Sequence, residues 1–307
     1  MLLALFVLVI GFVLLMRGAD VFVDGAVALS RRVHIPEIII GLTVVAMGTS
    51  APESAVSIIG VLSGANGISI GNIIGSNIAN ILLILGLSAC VYPIVAARNT
   101  VRFEIPFVVF ITCVLGWLGV TYGEINRGGA TVLIALFIVF LGYLFATPKT
   151  TDLQELSPEN ISGIHIFIMI GAGLAALVFG SNMIIKSASA IATAWGMSQR
   201  AIGLTIVALG TSLPELSTCI SAAIKKKSDL VFGNIIGSNI FNILFVLGIS
   251  GIVGTMDFEP KFITDTIVAT GVAVLLWLIT LRNYKLTRWA GVLFVLLYVV
   301  YIASVVM

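Results

Sequence analysis

Charge is the scarcest property of this sequence. Its 307 residues carry 16 Lys and Arg and 14 Asp and Glu, 10% in all, where a water-soluble domain carries about a quarter. That scarcity excludes a soluble globular protein, and a net charge of +2 is too small to imply a nucleic-acid partner. Cysteine is scarce as well. Cys90, Cys113 and Cys219 each sit in an apolar run with neither a metal motif nor an evident disulfide spacing, so they read as small core residues. The two histidines, His34 and His165, lie near the ends of apolar runs. No base is placed by sequence near Ser50 or Ser212, so enzyme chemistry on those serines is not expected. No basic segment precedes Arg17, and a cleaved signal peptide is therefore not expected.

What fills the chain is apolar: 59% hydrophobic residues and a mean hydropathy of +1.18. The apolar residues fall in long runs, and a helix needs about 20 of them to cross a bilayer. Ten candidate spans result, at about residues 2–30, 37–62, 68–95, 103–121, 128–146, 163–192, 199–224, 230–254, 262–281 and 288–306. The expected fold is an all-α integral membrane protein of ten transmembrane helices. The first and sixth spans are long for a perpendicular crossing, so they are expected to tilt or to extend beyond the bilayer. Thr147 to Asn160, with Pro148, Pro158 and four charges, is the one polar stretch. It divides the chain into 1–146, a linker at 147–162, and 163–307.

Orientation follows from the basic residues, which resist translocation. Loops after odd-numbered spans hold Arg31, Arg32, Arg98, Arg102, Lys149, Lys225, Lys226, Lys227, Arg282, Lys285 and Arg288, whereas loops after even-numbered spans hold only Arg127, Arg200 and Lys261. Both termini are therefore expected to be extracellular or periplasmic and the linker cytoplasmic.

The two halves repeat each other. An offset of 162 residues aligns the thirteen residues from Gly41 to Glu53 with those from Gly203 to Glu215, ten of them identical. The same offset aligns the twelve from Gly71 to Leu82 with those from Gly233 to Leu244, eleven of them identical. Chance similarity between greasy helices does not reproduce Gly, Pro and polar residues in one register. Five spans per copy is an odd number, so the second copy enters the membrane from the opposite side. That is an inverted-topology repeat, with helices 2 and 7 broken, an architecture suited to alternating access.

Within the repeats stand the two informative acids. Glu53 and Glu215 lie well inside spans 2 and 7, where an ionised carboxylate costs several kcal/mol unless compensated, and no Lys or Arg is near in sequence. Hard cations such as Ca²⁺ and Na⁺ are the evident partners, because they take carboxylate, hydroxyl, amide and backbone carbonyl oxygens. Thr49 and Ser50 precede Glu53 by four and three residues, on its face if helical, and Thr211 and Ser212 do the same for Glu215. Gly48 and Pro52, like Gly210 and Pro214, are helix-breaking signals, and a break is expected to free carbonyls such as those of Ala46 and Ala208. Pro just before Glu suits the first turn of a resuming half-helix, where Ser or Thr can cap and the dipole favours a carboxylate. Asn72, Ser76 and Asn80, with Asn234, Ser238 and Asn242, form polar stripes at a spacing of four. Paired with the glutamates, Ser76, Asn80, Ser238 and Asn242 read as ligands; Asn72, Asn77, Asn234 and Asn239 read as interhelical packing.

These blocks, Gly48-Thr49-Ser50-Ala51-Pro52-Glu53 with Gly71 to Asn80, and Gly210 to Glu215 with Gly233 to Asn242, resemble the two alpha-repeats of the calcium/cation antiporter superfamily, and among its members the prokaryotic sodium/calcium exchangers. The resemblance covers the full ten-span layout. It implies ion ligands at Ala46, Thr49, Ser50, Glu53, Ser76 and Asn80, and at Ala208, Thr211, Ser212, Glu215, Ser238 and Asn242, the alanines acting through carbonyl oxygen. Some members, including potassium-dependent exchangers, carry Asp where this chain has Asn242, which argues against potassium dependence here.

The expected mechanism is exchange by competition. Two neighbouring carboxylates are neutralised by one Ca²⁺ or by Na⁺ ions at overlapping positions, and an empty site leaves two uncompensated charges that oppose the conformational change. Spans 1 and 6 are the candidate moving gate, a reading the family resemblance supports as sliding across a fixed core. A proton-driven antiporter of Ca²⁺ or another divalent cation would use the same pair, and a cation channel is the reading from a different class. No cofactor and no obligate protein partner are expected; the partners are the two ions and the lipid bilayer. Arg17, Asp20, Asp24 and Lys186 read as structural, with Arg17 paired to Asp20. Lys225 to Lys227 read as a topology anchor open to anionic lipid.

Overall fold

Lipid offers no hydrogen-bond partner to a bare backbone, so apolar runs of this length close their bonds internally as helices. The computed structural model describes residues 2–64, 66–146, 161–196 and 208–306. Its first half consists of α1 (Leu2–Val33), the bent pair α2 (Glu37–Thr49) and α3 (Ala51–Leu62), then α4 (Gly67–Val91), α5 (Thr100–Tyr122) and α6 (Arg127–Ala146). Its second half consists of α7 (Gly163–Ala194), a short α8 (Ala208–Thr211), α9 (Leu213–Ile224), α10 (Ser228–Val253), α11 (Pro260–Asn283) and α12 (Arg288–Val306).

Among the described residues, eight helices are long and apolar enough to cross a bilayer, or nine when α2 and α3 count as one span. The chain is therefore an all-helical, multi-span membrane protein. Of the expected seventh span, α9 is the described end, while 199–207 lies outside the described residues, as does most of the linker with Lys149 and, further on, Arg200. The third span stops at Val91 rather than near 95, because Pro93 cannot continue a helix and the chain turns extended.

Burial separates centre from rim. In α4 and α10, 78% and 83% of the apolar window is buried, against 33% in α1 and 22% in α7, so α4 and α10 form the core and α1 and α7 a peripheral pair. Both peripheral helices have 32 residues, about 48 Å at the helical rise, longer than the hydrocarbon thickness. They pack on each other through small residues. A Cβ on Gly173 would stand 2.7 Å from the Phe22 nitrogen, and one on Gly180 would stand 2.8 Å from the Gly11 carbonyl, so only glycine permits this approach. In the core, α2 meets α10 as closely: a Cβ on Gly41 would stand 2.9 Å from the Gly233 Cα.

Two short antiparallel ladders tie the halves together. Ile94 pairs with Leu286 and Val95 with Lys285; Glu124 pairs with Asp257 and Ile125 with Met256. The 162-residue offset carries 94 to 256 and 124 to 286, so the ladders are counterparts, each joining one half to the other.

Candidate cation site

The site begins at two helix breaks. Ser50, at φ −82° and ψ 10°, leaves the helical conformation between α2 and α3, and the two segments meet at 49°. Ser212, at φ −89° and ψ 6°, does the same between α8 and α9. Pro52 and Pro214 stand in the first turn of the resuming helices, where the missing N–H costs nothing. Glu53 and Glu215 follow in that same turn, at the positive end of the helix dipole. Each is only 1% exposed.

Ser50 and Ser212 occupy the capping positions, yet neither hydroxyl caps its helix. Each crosses to the other half instead: Ser50 Oγ donates to Glu215 Oε1 at 2.8 Å, and Ser212 Oγ donates to Glu53 Oε1 at 3.2 Å. Thr211 also faces Glu53, and Thr49 faces Glu215. The expectation that each glutamate is served by its own helix is thereby corrected. The bends turn both breaks toward one centre, and a charged acceptor there outcompetes the weaker neutral cap.

The second oxygen of each carboxylate has no partner. Glu53 Oε2 and Glu215 Oε2 are buried without a hydrogen bond, and so are Asn80 Oδ1 and Asn242 Oδ1. The four form two symmetry pairs under the 162-residue offset. Buried acceptors left bare in a low-dielectric interior are costly. Among the described residues the ion pairs join Lys225 to Asp20 and Asp24, Lys227 to Glu37 and Lys261 to Glu259; none reaches Glu53 or Glu215. No group of three or more His, Cys, Asp or Glu that could hold a metal occurs among the described residues. Two carboxylates amid neutral oxygens are unlike the nitrogen and sulfur cage of a zinc site and suit a hard cation.

Asn80 and Asn242 keep their oxygens bare because their nitrogens are taken. Asn80 Nδ2 donates to Asn239 Oδ1 at 3.0 Å, and Asn242 Nδ2 donates to Asn77 Oδ1 at 3.1 Å. Asn77 Nδ2 donates in turn to the Asn239 carbonyl at 3.1 Å, and Asn239 Nδ2 to the Asn77 carbonyl at 3.3 Å. Three residues or fewer past those carbonyls, α4 and α10 widen into π-helical turns, Asn80–Leu85 and Phe241–Val246. A helix can give up its regular pairing where another donor satisfies the carbonyl.

The other expected residues are placed as follows. Ser76 and Ser238 are buried one turn before Asn80 and Asn242, and Ser238 Oγ donates to Asn234 Oδ1 at 3.5 Å. Thr49 Oγ1 donates to the same oxygen at 3.0 Å. The Ala46 carbonyl is not freed by the break: it accepts from the Ser50 N–H at 3.0 Å, since the bend falls after the turn that it closes. Ala208 opens α8. Asn72 Nδ2 holds the Glu53 carbonyl at 3.2 Å, and Asn234 Nδ2 reaches Cys219 Sγ at 3.3 Å.

Asn77 and Asn239, expected to pack between helices, bond across α4 and α10, each to the carbonyl of the other. Asp20, expected to pair with Arg17, instead accepts from Ser221 Oγ at 2.6 Å and lies 3.9 Å from Lys225 Nζ, while Asp24 lies 2.7 Å from it. An exposed pair along one helix is worth little, and the partly buried donors of α9 win. An apolar cleft of about 430 Å³ opens between α1, α4 and α9, lined by Phe12, Met16, Leu87 and Leu216 among others. It flanks the polar site, and its single hydroxyl, Ser217, is already bonded to the Leu213 carbonyl.

Fold and site together define a multi-span membrane transporter of cations. Comparison with known proteins makes the class specific. The profile of the sodium/calcium exchanger protein family matches residues 3–146 and 165–307, so the chain belongs to that family, one of membrane ion antiporters and not of enzymes. Inner membrane protein YrbG of Escherichia coli is 36% identical over 85% of this chain and 83% of its own. Sodium/calcium exchanger MaX1 of Methanosarcina acetivorans is 29% identical over 96% of each. A solved structure of the sodium-calcium exchanger NCX_Mj superposes with a TM-score of 0.87 at 33% identity, over 99% of both chains.

Proposed function

We propose that this chain is a secondary active antiporter that exchanges Na⁺ for Ca²⁺ by alternating access, the two ions competing for one site around Glu53 and Glu215. The observation that carries the reading is the symmetric set of four buried, bare acceptors: Glu53 Oε2, Glu215 Oε2, Asn80 Oδ1 and Asn242 Oδ1. A cation among them would supply the missing partner. The remaining ligands in this reading are Thr49, Ser50, Ser76, Thr211, Ser212 and Ser238, with the carbonyl of Ala208; the Ala46 carbonyl, expected beside it, is held within its own helix. One Ca²⁺ balances two carboxylates, and Na⁺ at overlapping positions does the same, so each ion excludes the other. With neither bound, two like charges remain in a poorly solvating interior and oppose the change of access.

The same reading takes the fold as two inverted five-helix repeats, 1–146 and 163–307, joined by a cytoplasmic linker at 147–162, with both termini outside. The glycine-packed pair α1 and α7 is the moving element, and α4 and α10 are the fixed core. Topology reporters at the two ends check the orientation, and cytoplasmic signals at both would overturn it. The deciding experiment is Ca²⁺ uptake by proteoliposomes under imposed Na⁺, K⁺ or H⁺ gradients. Uptake driven by Na⁺ alone supports the proposal. Uptake driven by a pH gradient without Na⁺ replaces it with a proton-coupled antiporter, and large single-channel currents replace it with a channel.

A further inference from the structure

Beyond the ligands themselves, the amide groups of Asn77 and Asn239 are arranged as a lock. Asn80 and Asn242 can each present either end of the side-chain amide to the centre, and only the oxygen attracts a cation. Which end faces inward is decided by what the other end meets. Asn239 Oδ1 accepts from Asn80 Nδ2 and Asn77 Oδ1 accepts from Asn242 Nδ2. A flip of Asn80 would set oxygen against oxygen and turn an NH₂ group toward the cation. Asn239 cannot flip to relieve this, because its own Nδ2 is bound to the Asn77 carbonyl, and Asn77 is held the same way by the Asn239 carbonyl. All four side chains are at least 96% buried, so water does not stand in for a lost bond.

We propose that Asn77 and Asn239 are positioning residues of the cation site: through a closed ring of hydrogen bonds across the two halves, they fix the amides of Asn80 and Asn242 with oxygen inward. The ring also couples the halves. Each ligand is oriented by the opposite repeat, Asn80 by Asn239 and Asn242 by Asn77, as each glutamate is by the opposite serine. A shift of α4 against α10 would therefore loosen both amides together. The proposal rests on the reading of Asn80 and Asn242 as ligands.

The test is Na⁺-driven Ca²⁺ uptake by the full-length chain in proteoliposomes, measuring half-saturation and maximal rate separately, with thermal stability of each variant in detergent. Loss of a residue that orients a metal ligand typically weakens affinity by about 10-fold or more. Asn239→Ala is expected to raise the Ca²⁺ half-saturation about 10-fold, while Asn80→Ala added to Asn239→Ala changes it little further, since Asn239 acts through Asn80. Asn77→Ala is expected to behave likewise with Asn242→Ala, and replaces the first pair should Asn239→Ala not reconstitute. A role confined to packing would lower melting temperature and maximal rate while leaving half-saturation unchanged, and that result overturns the proposal. So does full additivity of the two substitutions. If Asn80→Ala and Asn242→Ala themselves leave half-saturation unchanged, the ligand assignment fails and the lock fails with it; if they raise it and Asn239→Ala and Asn77→Ala do not, only the lock fails.

Discussion

Glu53 and Glu215 are each bonded at one oxygen and bare at the other. A glutamine at either place keeps the size and removes the charge, so it tests electrostatics with little change in packing. Ca²⁺ would then meet one carboxylate in place of two, at a cost of several kcal/mol in an interior that screens poorly. Glu53→Gln and Glu215→Gln are each expected to lower Na⁺-driven Ca²⁺ flux by more than about 100-fold, measured as uptake into proteoliposomes; near wild-type flux in both would sink the assignment of the site. The two acids were legible in the sequence because an apolar run makes any carboxylate conspicuous. Their partners were not. Spacing along one helix sets Ser50 beside Glu53, and only the bend at 49° reveals that it serves Glu215.

At the scale of elements, the breaks at Ser50 and Ser212 were legible from Gly and Pro within apolar runs, and the ends of most helices fell within a few residues of where charge or turn residues put them. The π-helical turns in α4 and α10 were not, because no residue type specifies them. Glycines at 233 and 237 permit a close helix approach, but only the structure shows that α2 is the neighbour. A Cβ on Gly237 would stand 2.7 Å from both the Cα and the carbonyl oxygen of Leu42, and 2.8 Å from the Ala46 Cβ. Backbone cannot rotate away, so α10 must separate from α2, the helix that ends at Thr49 and leads into Ser50. Gly237→Ala is expected to cost about 1–3 kcal/mol of stability and to impair Ca²⁺ uptake. Gly271→Ala, on the exposed face of α11 with no atom within 4 Å, is the matched control and should melt and transport as wild type. Equal melting temperatures for the two would show that the contact is not limiting.

At the scale of the whole molecule, the repeat at 162 residues was read from sequence, but its departures from symmetry gain meaning only in three dimensions. If two access states arise by exchange of the halves' conformations, a contact present in one half and missing in the other favours one state. Lys225 Nζ holds Asp24 Oδ1 at 2.7 Å and the Asp20 carbonyl at 2.9 Å, and Ser221 Oγ holds Asp20 Oδ1 at 2.6 Å, joining the peripheral α1 to α9. The counterparts of Asp20, Asp24, Ser221 and Lys225 are Asn182, Lys186, Ile59 and Ser63, with no acid among them. Asn182 donates to the Val178 carbonyl of its own helix and Ser63 to the Ile59 carbonyl of its own, so these positions offer no equivalent ion pair between α7 and α3. Exposed ion pairs contribute at most about 1 kcal/mol, which is about a fivefold bias. Lys225→Ala is therefore expected to shift the balance away from the arrangement seen here by up to about fivefold. Ca²⁺ half-saturation measured separately on right-side-out and inside-out vesicles should move in opposite directions, because each side samples only the state open to it. Equal values before and after substitution on both sides would mean that α1 moves without regard to this tie.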